Sequence, residues 1–242
     1  RANDGDYAGY TEQIAYDANY HTFVTSRGNA HGNTEVTAYD NLMRPVTVTG
    51  VNGVEWSSIY DTFGRLVERI SPGDSSSLPT VRLEYTDAHL DEKRGIVTPR
   101  SVKSMSRDGP AGTLDGIVYY DGPGRKIQEK REIEGGYRTT DYYYDNMGRN
   151  YRTSVPYLTG VPDYTVPEPN TPSSREEYDA AGRVAKVINS DGTEIRKIYK
   201  RKKVITIDTN GHATAREVVD GATVKEYTYQ GDYNSGEPVT TY

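Results

Sequence analysis

The chain has 242 residues, a formal net charge of −6, 34% hydrophobic residues and no cysteine. The acidic balance argues against nucleic acid as the main partner, because nucleic-acid-binding domains usually carry a basic excess. The lack of cysteine excludes disulfides and thiolate metal sites, and no apolar run approaches the ~20 residues that a membrane-spanning helix needs. Tyrosine, with 22 copies, must supply much of the buried surface, which favours thin layers over a thick apolar core.

The first residues include a polar stretch, Asn3-Asp4-Gly5-Asp6, which we interpret as a tail. A calcium-binding loop is the alternative, but the bidentate glutamate and the other spaced ligands of such a loop are absent. The sequence does not start with methionine, and repeat-like material follows Arg1 directly. We therefore expect a segment of a longer protein.

A six-residue turn frame, Tyr-Asp-x-x-Gly-Arg, recurs along the chain at irregular spacing. Four copies are complete, and their defining residues are Tyr60, Asp61, Gly64 and Arg65; Tyr120, Asp121, Gly124 and Arg125; Tyr144, Asp145, Gly148 and Arg149; and Tyr178, Asp179, Gly182 and Arg183. Degenerate copies begin at Tyr16, Tyr39 and Ile207, with a decayed one at Tyr85. Self-similarity at spacings of about 20 to 50 residues indicates a repeat architecture.

The segments between these turns predict short antiparallel strands. They are rich in β-branched and aromatic residues with a period near two, as in 139–144 and 203–207. A second set of turn signals, such as Asn52-Gly53 and Asp191-Gly192, favours tight hairpins. The strongest helical candidate is residues 88–94, one or two turns at most, within a longer connection that reaches Asp108.

A proline-rich stretch at residues 161–172 predicts a loop insertion outside the sheet, because proline removes backbone donors. Apart from this insertion, we expect residues 1–242 to form a single repeat segment. The domain organisation is therefore one β-sheet segment rather than two unrelated domains.

Each residue of the frame has a structural task. The tyrosine ends a strand, and the aspartate carboxylate accepts hydrogen bonds from backbone amides two residues on. The glycine suits a position with positive φ, where a β-carbon would clash. The arginine opens the return strand and can reach turn carbonyls, the aspartate or a tyrosine ring. A catalytic site does not occur in several approximate copies, so the frame predicts a structural unit.

The four complete frames, flanked by strands, resemble the YD repeat of the Rhs family. That family includes bacterial Rhs toxins, the B and C components of insecticidal toxin complexes, and teneurins. The resemblance implies an all-β fold in which antiparallel hairpin repeats form a continuous, spiralling, elongated sheet, part of a shell around a toxin domain. It also implies a self-cleaving aspartate site rich in Asp-Pro, which we do not carry over because the chain contains no Asp-Pro dipeptide.

Other polar residues have ordinary structural interpretations. The four histidines are far apart in sequence and predict surface or turn positions rather than a metal site. The only basic run comprises Lys200, Arg201, Lys202 and Lys203; it fits a charged hairpin tip better than a phosphate or heparin contact. Trp56 and the tyrosines favour aromatic pairs within the sheet over a sugar-binding platform.

The repeated frame thus predicts a non-enzymatic scaffold with no catalytic residues, metal or cofactor. The resemblance to the Rhs family implies a bacterial parent protein, secreted or displayed at the cell surface, in which the segment carries an encapsulated C-terminal effector. The alternative is an adhesion or carbohydrate-binding module that uses exposed aromatics to bind glycan. The expected partners are other domains of the parent, with neither nucleic acid nor a membrane span, and unpaired strand edges predict edge-to-edge self-association.

Overall fold

A computed structural model shows that the chain is all-β. It describes residues 12–29, 31–32, 34–110, 112–232 and 238–241, so the polar stretch at Asn3 lies outside the described residues. Within these ranges there is no helix, and the strands that pair do so antiparallel. The predicted all-β fold of antiparallel hairpins is therefore confirmed. None of the described segments is a helix long and apolar enough to cross a membrane.

The first ten strands are β1 (Gln13–Tyr16), β2 (Val24–Gly28), β3 (Thr34–Tyr39), β4 (Pro45–Thr49), β5 (Glu55–Tyr60), β6 (Leu66–Ile70), β7 (Val81–Thr86), β8 (His89–Asp91), β9 (Ile96–Thr98) and β10 (Arg100–Asp108). The remaining strands are β11 (Gly112–Tyr120), β12 (Lys126–Ile133), β13 (Gly136–Tyr144), β14 (Asn150–Ser154), β15 (Tyr157–Thr159), β16 (Ser173–Tyr178), β17 (Val184–Ile188), β18 (Glu194–Lys200), β19 (Lys203–Ile207), β20 (His212–Val219), β21 (Ala222–Asp232) and β22 (Pro238–Thr241).

The chain divides into two compact units. The first contains the described residues of Arg1–Val118 together with Arg131–Ile133. In it, strands β1 to β7 pair in chain order, each antiparallel to the next, and β10 pairs with the other edge of β7. The expected connection up to Asp108 thus contains a nine-residue strand, in which six of the nine residues are half-buried.

The helical candidate at residues 88–94 is also wrong. Strands β8 and β9 pair through His89↔Thr98 and Asp91↔Ile96. The Asp91 carboxylate accepts hydrogen bonds from the backbone amides of Lys93 and Arg94, which closes a turn between the two strands. Such local side-chain hydrogen bonds compete directly with helix formation.

The second unit contains Tyr119–Lys130 and the described residues of Glu134–Tyr242. Strand β13 pairs with β14 at one end and with β15 at the other, and β14 then pairs with β16. From β16 to β22 each strand pairs antiparallel with the next. Residues 160–172, between β15 and β16, contain no strand, and we refer to them as the strap.

A cluster of buried apolar side chains in the second unit lies on one face of β18–β21. Ile205, Ile207, Ala213 and Ala215 form a cluster against which Ile198, Tyr227 and Tyr229 pack. The period-two alternation of a strand places these residues on one face and their neighbours on the other. This apolar layer is thin, as the scarcity of leucine, isoleucine and phenylalanine in the sequence leads one to expect.

Candidate functional site

The turn of each frame is held by its aspartate. In the frame at Tyr144, one oxygen of Asp145 accepts hydrogen bonds from the backbone amides of Met147 and Arg149, both at 2.9 Å. The other oxygen accepts the Arg149 Nε–H at 2.7 Å. Asp61 and Asp179 make the same three contacts, and Asp121 lacks only the first because Pro123 has no amide hydrogen.

Backbone hydrogen bonds close the same turns. The amide of Asp145 donates to the Arg149 carbonyl at 2.9 Å, and the amide of Gly148 donates to the Asp145 carbonyl at 2.9 Å. This geometry places the glycine in the left-handed region, which a residue without a β-carbon enters at little cost. The φ angles are 83° at Gly64, 94° at Gly124, 80° at Gly148 and 79° at Gly182, so all four have the positive sign that the sequence predicts.

Three of the four frame tyrosines lie at an irregularity in strand pairing. The register shifts just before Tyr60, Tyr144 and Tyr178, so that each tyrosine faces the residue after the frame arginine. Tyr120 ends β11 and leads into the turn at Asp121. A bulge of this kind redirects the side chain, which here turns the ring toward the preceding hairpin.

The tyrosine hydroxyls bind the preceding hairpin. Each donates to the carbonyl of the residue that follows the previous hairpin's arginine, or its equivalent: Tyr39 to Val24, Tyr60 to Pro45, Tyr85 to Leu66, Tyr144 to Lys126, Tyr178 to Asn150 and Tyr199 to Val184. The same relation holds in both units. It satisfies the polar tip of a ring whose body is half-buried.

The arginines complete the link between neighbouring hairpins. While bonded to the aspartate of its own frame, each guanidinium lies over the tyrosine ring of the next hairpin. The distances from guanidinium carbon to ring centroid are 4.7 Å for Arg44–Tyr60, 4.2 Å for Arg65–Tyr85, 4.6 Å for Arg125–Tyr144, 4.4 Å for Arg149–Tyr178 and 4.2 Å for Arg183–Tyr199. This is the packing predicted for the four arginines, and we call the whole series the tyrosine–arginine ladder.

The frame glycine also makes room for the preceding guanidinium. A β-carbon on Gly148 would lie 3.3 Å from Nη1 of Arg125, and one on Gly182 would lie 3.7 Å from Nη1 of Arg149. On Gly64 it would lie 3.4 Å from Nη1 of Arg44. Only the distance at Gly148 is shorter than an ordinary van der Waals contact, so the main function shared by these glycines is the permitted positive φ.

The turn hydrogen bonds lower the pKa of the frame aspartates. For Asp145 the backbone amide of Arg149 is the main cause, and for Asp179 it is the side chain of Arg183. Partial burial opposes ionisation of Asp61 and Asp121, but the hydrogen bonds from their arginines outweigh it and lower the pKa. Burial, followed by the hydrogen bond to Glu176, raises the pKa of the Tyr178 hydroxyl to about 12. These four aspartates are therefore charged at neutral pH, and the Tyr178 hydroxyl is neutral.

Degenerate frames keep the aspartate's role. Met43, in place of glycine, takes a φ of 59°, and Asp40 still binds the amides of Leu42 and Arg44. Asp208 binds the amides of Asn210 and His212 in the frame that lacks tyrosine and arginine. The frame at Tyr16 forms a wider turn, in which Asp17 accepts four backbone amide hydrogen bonds that together outweigh burial and lower its pKa to about 2.

A buried polar cluster lies beneath the strap, and its residues were not identified from the sequence. The side chains of Gln128, Lys130, Thr139 and Asp141 are fully buried. The Lys130 ammonium donates to the Val161 carbonyl and to the hydroxyls of Thr159 and Thr165. The only signal in the sequence was the alternation of 126–130, which places Gln128 and Lys130 on one face of β12 but does not say that this face is covered.

The strap is attached to this cluster through its backbone. The amide group of Gln128 accepts the Thr165 N–H at 3.1 Å and donates to the Thr165 carbonyl at 2.8 Å. Asp141 accepts hydrogen bonds from Gln128 and from the Tyr157 hydroxyl, each at 2.8 Å. Tyr119 donates to the Pro162 carbonyl at 2.9 Å, and its ring lies 5.4 Å from that of Tyr164. These contacts hold the strap in place and provide partners for buried polar groups.

The remaining predicted features have local contacts. The basic run ends β18 and begins β19, so it forms a hairpin tip. Trp56 packs against Gly50 in the β4–β5 hairpin. His212 lies 3.4 Å from its own turn aspartate, Asp208, and the described residues include no group of three or more histidine and acidic residues placed to bind a metal.

The hairpins and the ladder together define a YD-repeat sheet, so the predicted resemblance is supported by geometry. Comparison with solved structures confirms it at the level of fold. The crystal structure of TcdB2–TccC3 superposes with a TM-score of 0.74 and 19% identity, over 95% of this chain and 14% of the other. The TcdB2–TccC3–Cdc42 crystal structure gives 0.73 and 17%, over 95% of this chain and 17% of the other.

A structure of the Photorhabdus luminescens Tc holotoxin pore matches equally well, with a TM-score of 0.73 and 16% identity over 95% of this chain. This chain spans only 14% to 17% of the length of these matched chains. No protein-family model matches the sequence, and no curated protein does either. The chain therefore has the YD-repeat fold, and its similarity to these proteins rests on structure.

Proposed function

We propose that residues 1–242 form one wall segment of a YD-repeat shell that encloses and carries a toxin or effector domain. The observation that carries this proposal is the ladder, in which the frame aspartates close their own turns, while the frame arginines and Tyr60, Tyr144 and Tyr178 bind neighbouring hairpins. No frame aspartate or arginine is left for chemistry. The segment would then be non-enzymatic and act as a scaffold.

The ladder also stiffens the sheet, which is a physical reason to assign it to the wall of a shell. Within each unit its contacts join consecutive hairpins through a ring contact and a hydroxyl hydrogen bond, in addition to the strand pairing. Cation–π contacts of this kind contribute about 0.5–1 kcal/mol each at exposed sites, so a series of them stiffens a sheet that has only a thin apolar layer. Stiffness along the repeat is what an enclosing layer needs.

The expected partners follow from the parent architecture. We propose that the segment adjoins other domains of a longer bacterial protein, including a C-terminal effector, and that this protein is secreted or displayed at the cell surface. The solved structures with the same fold support this, since they are structures of a complex and of a holotoxin pore. Edge-to-edge association of the isolated segment remains a prediction from its exposed strand edges.

The second hypothesis, glycan binding through exposed aromatic rings, has less support. The rings of Tyr60, Tyr144 and Tyr178 each lie under a guanidinium, and their hydroxyls bind backbone carbonyls. A ring used in this way is not available as a sugar platform. Aromatic adhesion would have to rely on residues outside the ladder.

The test of encapsulation uses the parent protein and limited proteolysis. We expect the effector to resist protease in the intact parent and to be digested once the ladder is broken by Arg149→Ala together with Arg183→Ala. Arg175→Ala is the matched control, because Arg175 is an exposed arginine of β16 outside the ladder. An effector that is digested equally fast in the wild type would contradict the proposal.

The test of the non-enzymatic role uses the purified 242-residue chain. We expect no turnover of protease, glycosidase, phosphatase or nucleotide substrates, with or without divalent metals. Turnover that follows the folded protein and disappears with one point substitution would overturn the scaffold interpretation. It would indicate a site assembled from distant strands.

A further inference from the structure

The part of the sheet formed by strands β18–β20 carries an unusual concentration of positive charge. The chain as a whole has a formal charge of −6, yet residues 194–219 contain seven lysines and arginines and only three acidic residues. Four of the seven form the hairpin tip between β18 and β19. Charge segregated in this way attracts anions to one region of an otherwise acidic protein.

A groove of about 480 Å³ lies on one face of strands β18–β21. Its polar lining consists of Lys197, Tyr199, Thr206, Thr214, Arg216 and Thr223. Strand register explains the arrangement: Thr206 pairs with Lys197 on one side and with Thr214 on the other, so these side chains form a row across three strands. The opposite face of the same strands carries the apolar cluster around Ile205.

The two central strands beneath the groove, β19 and β20, are paired on both sides. A peptide that adds a strand needs a free edge, and these two strands have none at the groove. A ligand here is therefore recognised by side chains alone, namely two cations and three hydroxyls that can both donate and accept.

We propose that this groove binds an anionic glycan, a chain of sugars that carries sulfate or carboxylate groups. Lys197 and Arg216 bind the anionic groups, and Thr206, Thr214 and Thr223 bind sugar hydroxyls. Arg201 and Lys202 at the hairpin tip add positive charge for a chain longer than the groove, whereas Lys203 lies over the Tyr227 ring on the opposite face. This site goes beyond the wall function, and it does not depend on exposed aromatic rings.

The existing contacts of the Arg216 and Tyr199 side chains favour a glycan over a single-stranded nucleic acid as the ligand. The Tyr199 ring has the Arg183 guanidinium at 4.2 Å, and its hydroxyl binds the Val184 carbonyl, so it offers no free platform for base stacking. Arg216 is paired with Glu226 at 3.0 Å, and both side chains are more than half exposed. An exposed pair of this kind is weak, so a sulfate replaces Glu226 as the partner at little cost.

The experiment measures binding of a sulfated heparin oligosaccharide to the full chain by calorimetry at low salt. We expect Lys197→Gln combined with Arg216→Gln to weaken binding about tenfold or more, since close charge pairs dominate such contacts. The control is Lys225→Gln, which also removes one positive charge from β21. Lys225 adjoins Glu226, the partner of Arg216, in sequence, so its side chain lies on the face of the strand opposite the groove. We expect the control to change affinity less than twofold, and thermal unfolding verifies that every variant is folded.

Two further measurements decide the class of ligand. Thr206→Val with Thr214→Val keeps all charges, and we expect it to weaken oligosaccharide binding several-fold. Single-stranded DNA of equal charge should bind at least tenfold more weakly than the oligosaccharide. Equal losses in the groove and control variants, no effect of the threonine changes, or equal affinity for DNA would each overturn the proposal.

Discussion

The turns at Tyr39 and Tyr144 have different sequences and the same structure. One has Met43 where the other has Gly148, yet φ is 59° at the methionine and 80° at the glycine. Asp40 and Asp145 bind the same two amides at 2.9 Å, and Arg44 and Arg149 each lie over the next hairpin's tyrosine. The aspartate, arginine and tyrosine thus determine the turn, and glycine makes an already determined conformation less strained.

Acid should have the largest effect, because it neutralises every frame aspartate at once. Hydrogen bonds to the arginines lower the folded-state pKa of Asp40 and Asp145. A lowered folded-state pKa contributes stability above the unfolded value of about 3.9, and this contribution is lost as pH falls through the folded value. We expect the thermal midpoint to fall steeply below about pH 4.

The variants Asp40→Asn and Asp145→Asn sharpen this test. Asparagine cannot titrate, so each variant should be less stable than the wild type at pH 7, with the difference narrowing toward pH 2. Similar differences in the two variants would show that the aspartate acts alike in both turns. A difference that does not change with pH would contradict the role assigned to the charge.

Replacing the glycine by a β-branched residue should have the next largest effect. Gly148→Val places a β-carbon 3.3 Å from Nη1 of Arg125 and forces a branched side chain into the left-handed region. We expect a loss of more than ~1 kcal/mol in the free energy of unfolding, measured by denaturant titration. An unchanged midpoint would mean that the turn relaxes without difficulty and that the glycine is dispensable here too.

Removing a rung should cost slightly less. We expect Arg149→Ala and Arg44→Ala each to lower the free energy of unfolding by about 1 kcal/mol through loss of the ring contact and the aspartate hydrogen bond. A double-mutant cycle of Arg149→Ala with Tyr178→Leu isolates the contact between hairpins. A coupling energy near zero would indicate that the arginine stabilises only its own turn.

The reciprocal change in the degenerate turn should have the smallest effect, with the opposite sign. Met43→Gly relieves left-handed strain of about 1–2 kcal/mol. Loss of a half-buried side chain and greater freedom in the unfolded state offset most of this gain. We expect a net stabilisation of several tenths of a kcal/mol in the same titration, and a clear destabilisation would show that Met43 contributes more by packing than it loses by strain.

The local part of this structure could be predicted from the sequence, since its determinants lie within six residues. The aspartate hydrogen bonds, the sign of φ at Gly148 and the position of Arg149 all follow from the frame. The strand at residues 100–108 could not be predicted from spacing alone, because no frame precedes it. The turn at Asp91 resembles a helix start, since aspartate binds amides two and three residues on in both.

The buried polar cluster was missed for a different reason. Lys130 bonds to Val161 and Thr165, more than thirty positions along the chain. A lysine in an alternating strand normally lies on the solvent face, and only the strap across that face changes its environment. Nothing in the sequence near Lys130 indicates which segment covers it. Contacts between residues so far apart in sequence can be identified only in the structure.

The contact between Arg149 and Tyr178, which flank the strap in sequence, shows how such a protein can acquire new segments. Arg125 and Tyr144 are 19 positions apart, with a ring contact at 4.6 Å, whereas Arg149 and Tyr178 are 29 apart and still in contact at 4.4 Å. The contact forms between hairpins that are neighbours in the sheet, whatever the number of residues between them. Each doubling of the length of a flexible loop raises the free-energy cost of closing it by only about 0.6 kcal/mol. We therefore expect insertions of residues between two frames to be tolerated better than insertions within a frame. The strap is exposed near Pro169, and a tag or a foreign epitope inserted there would not interrupt a strand of the sheet.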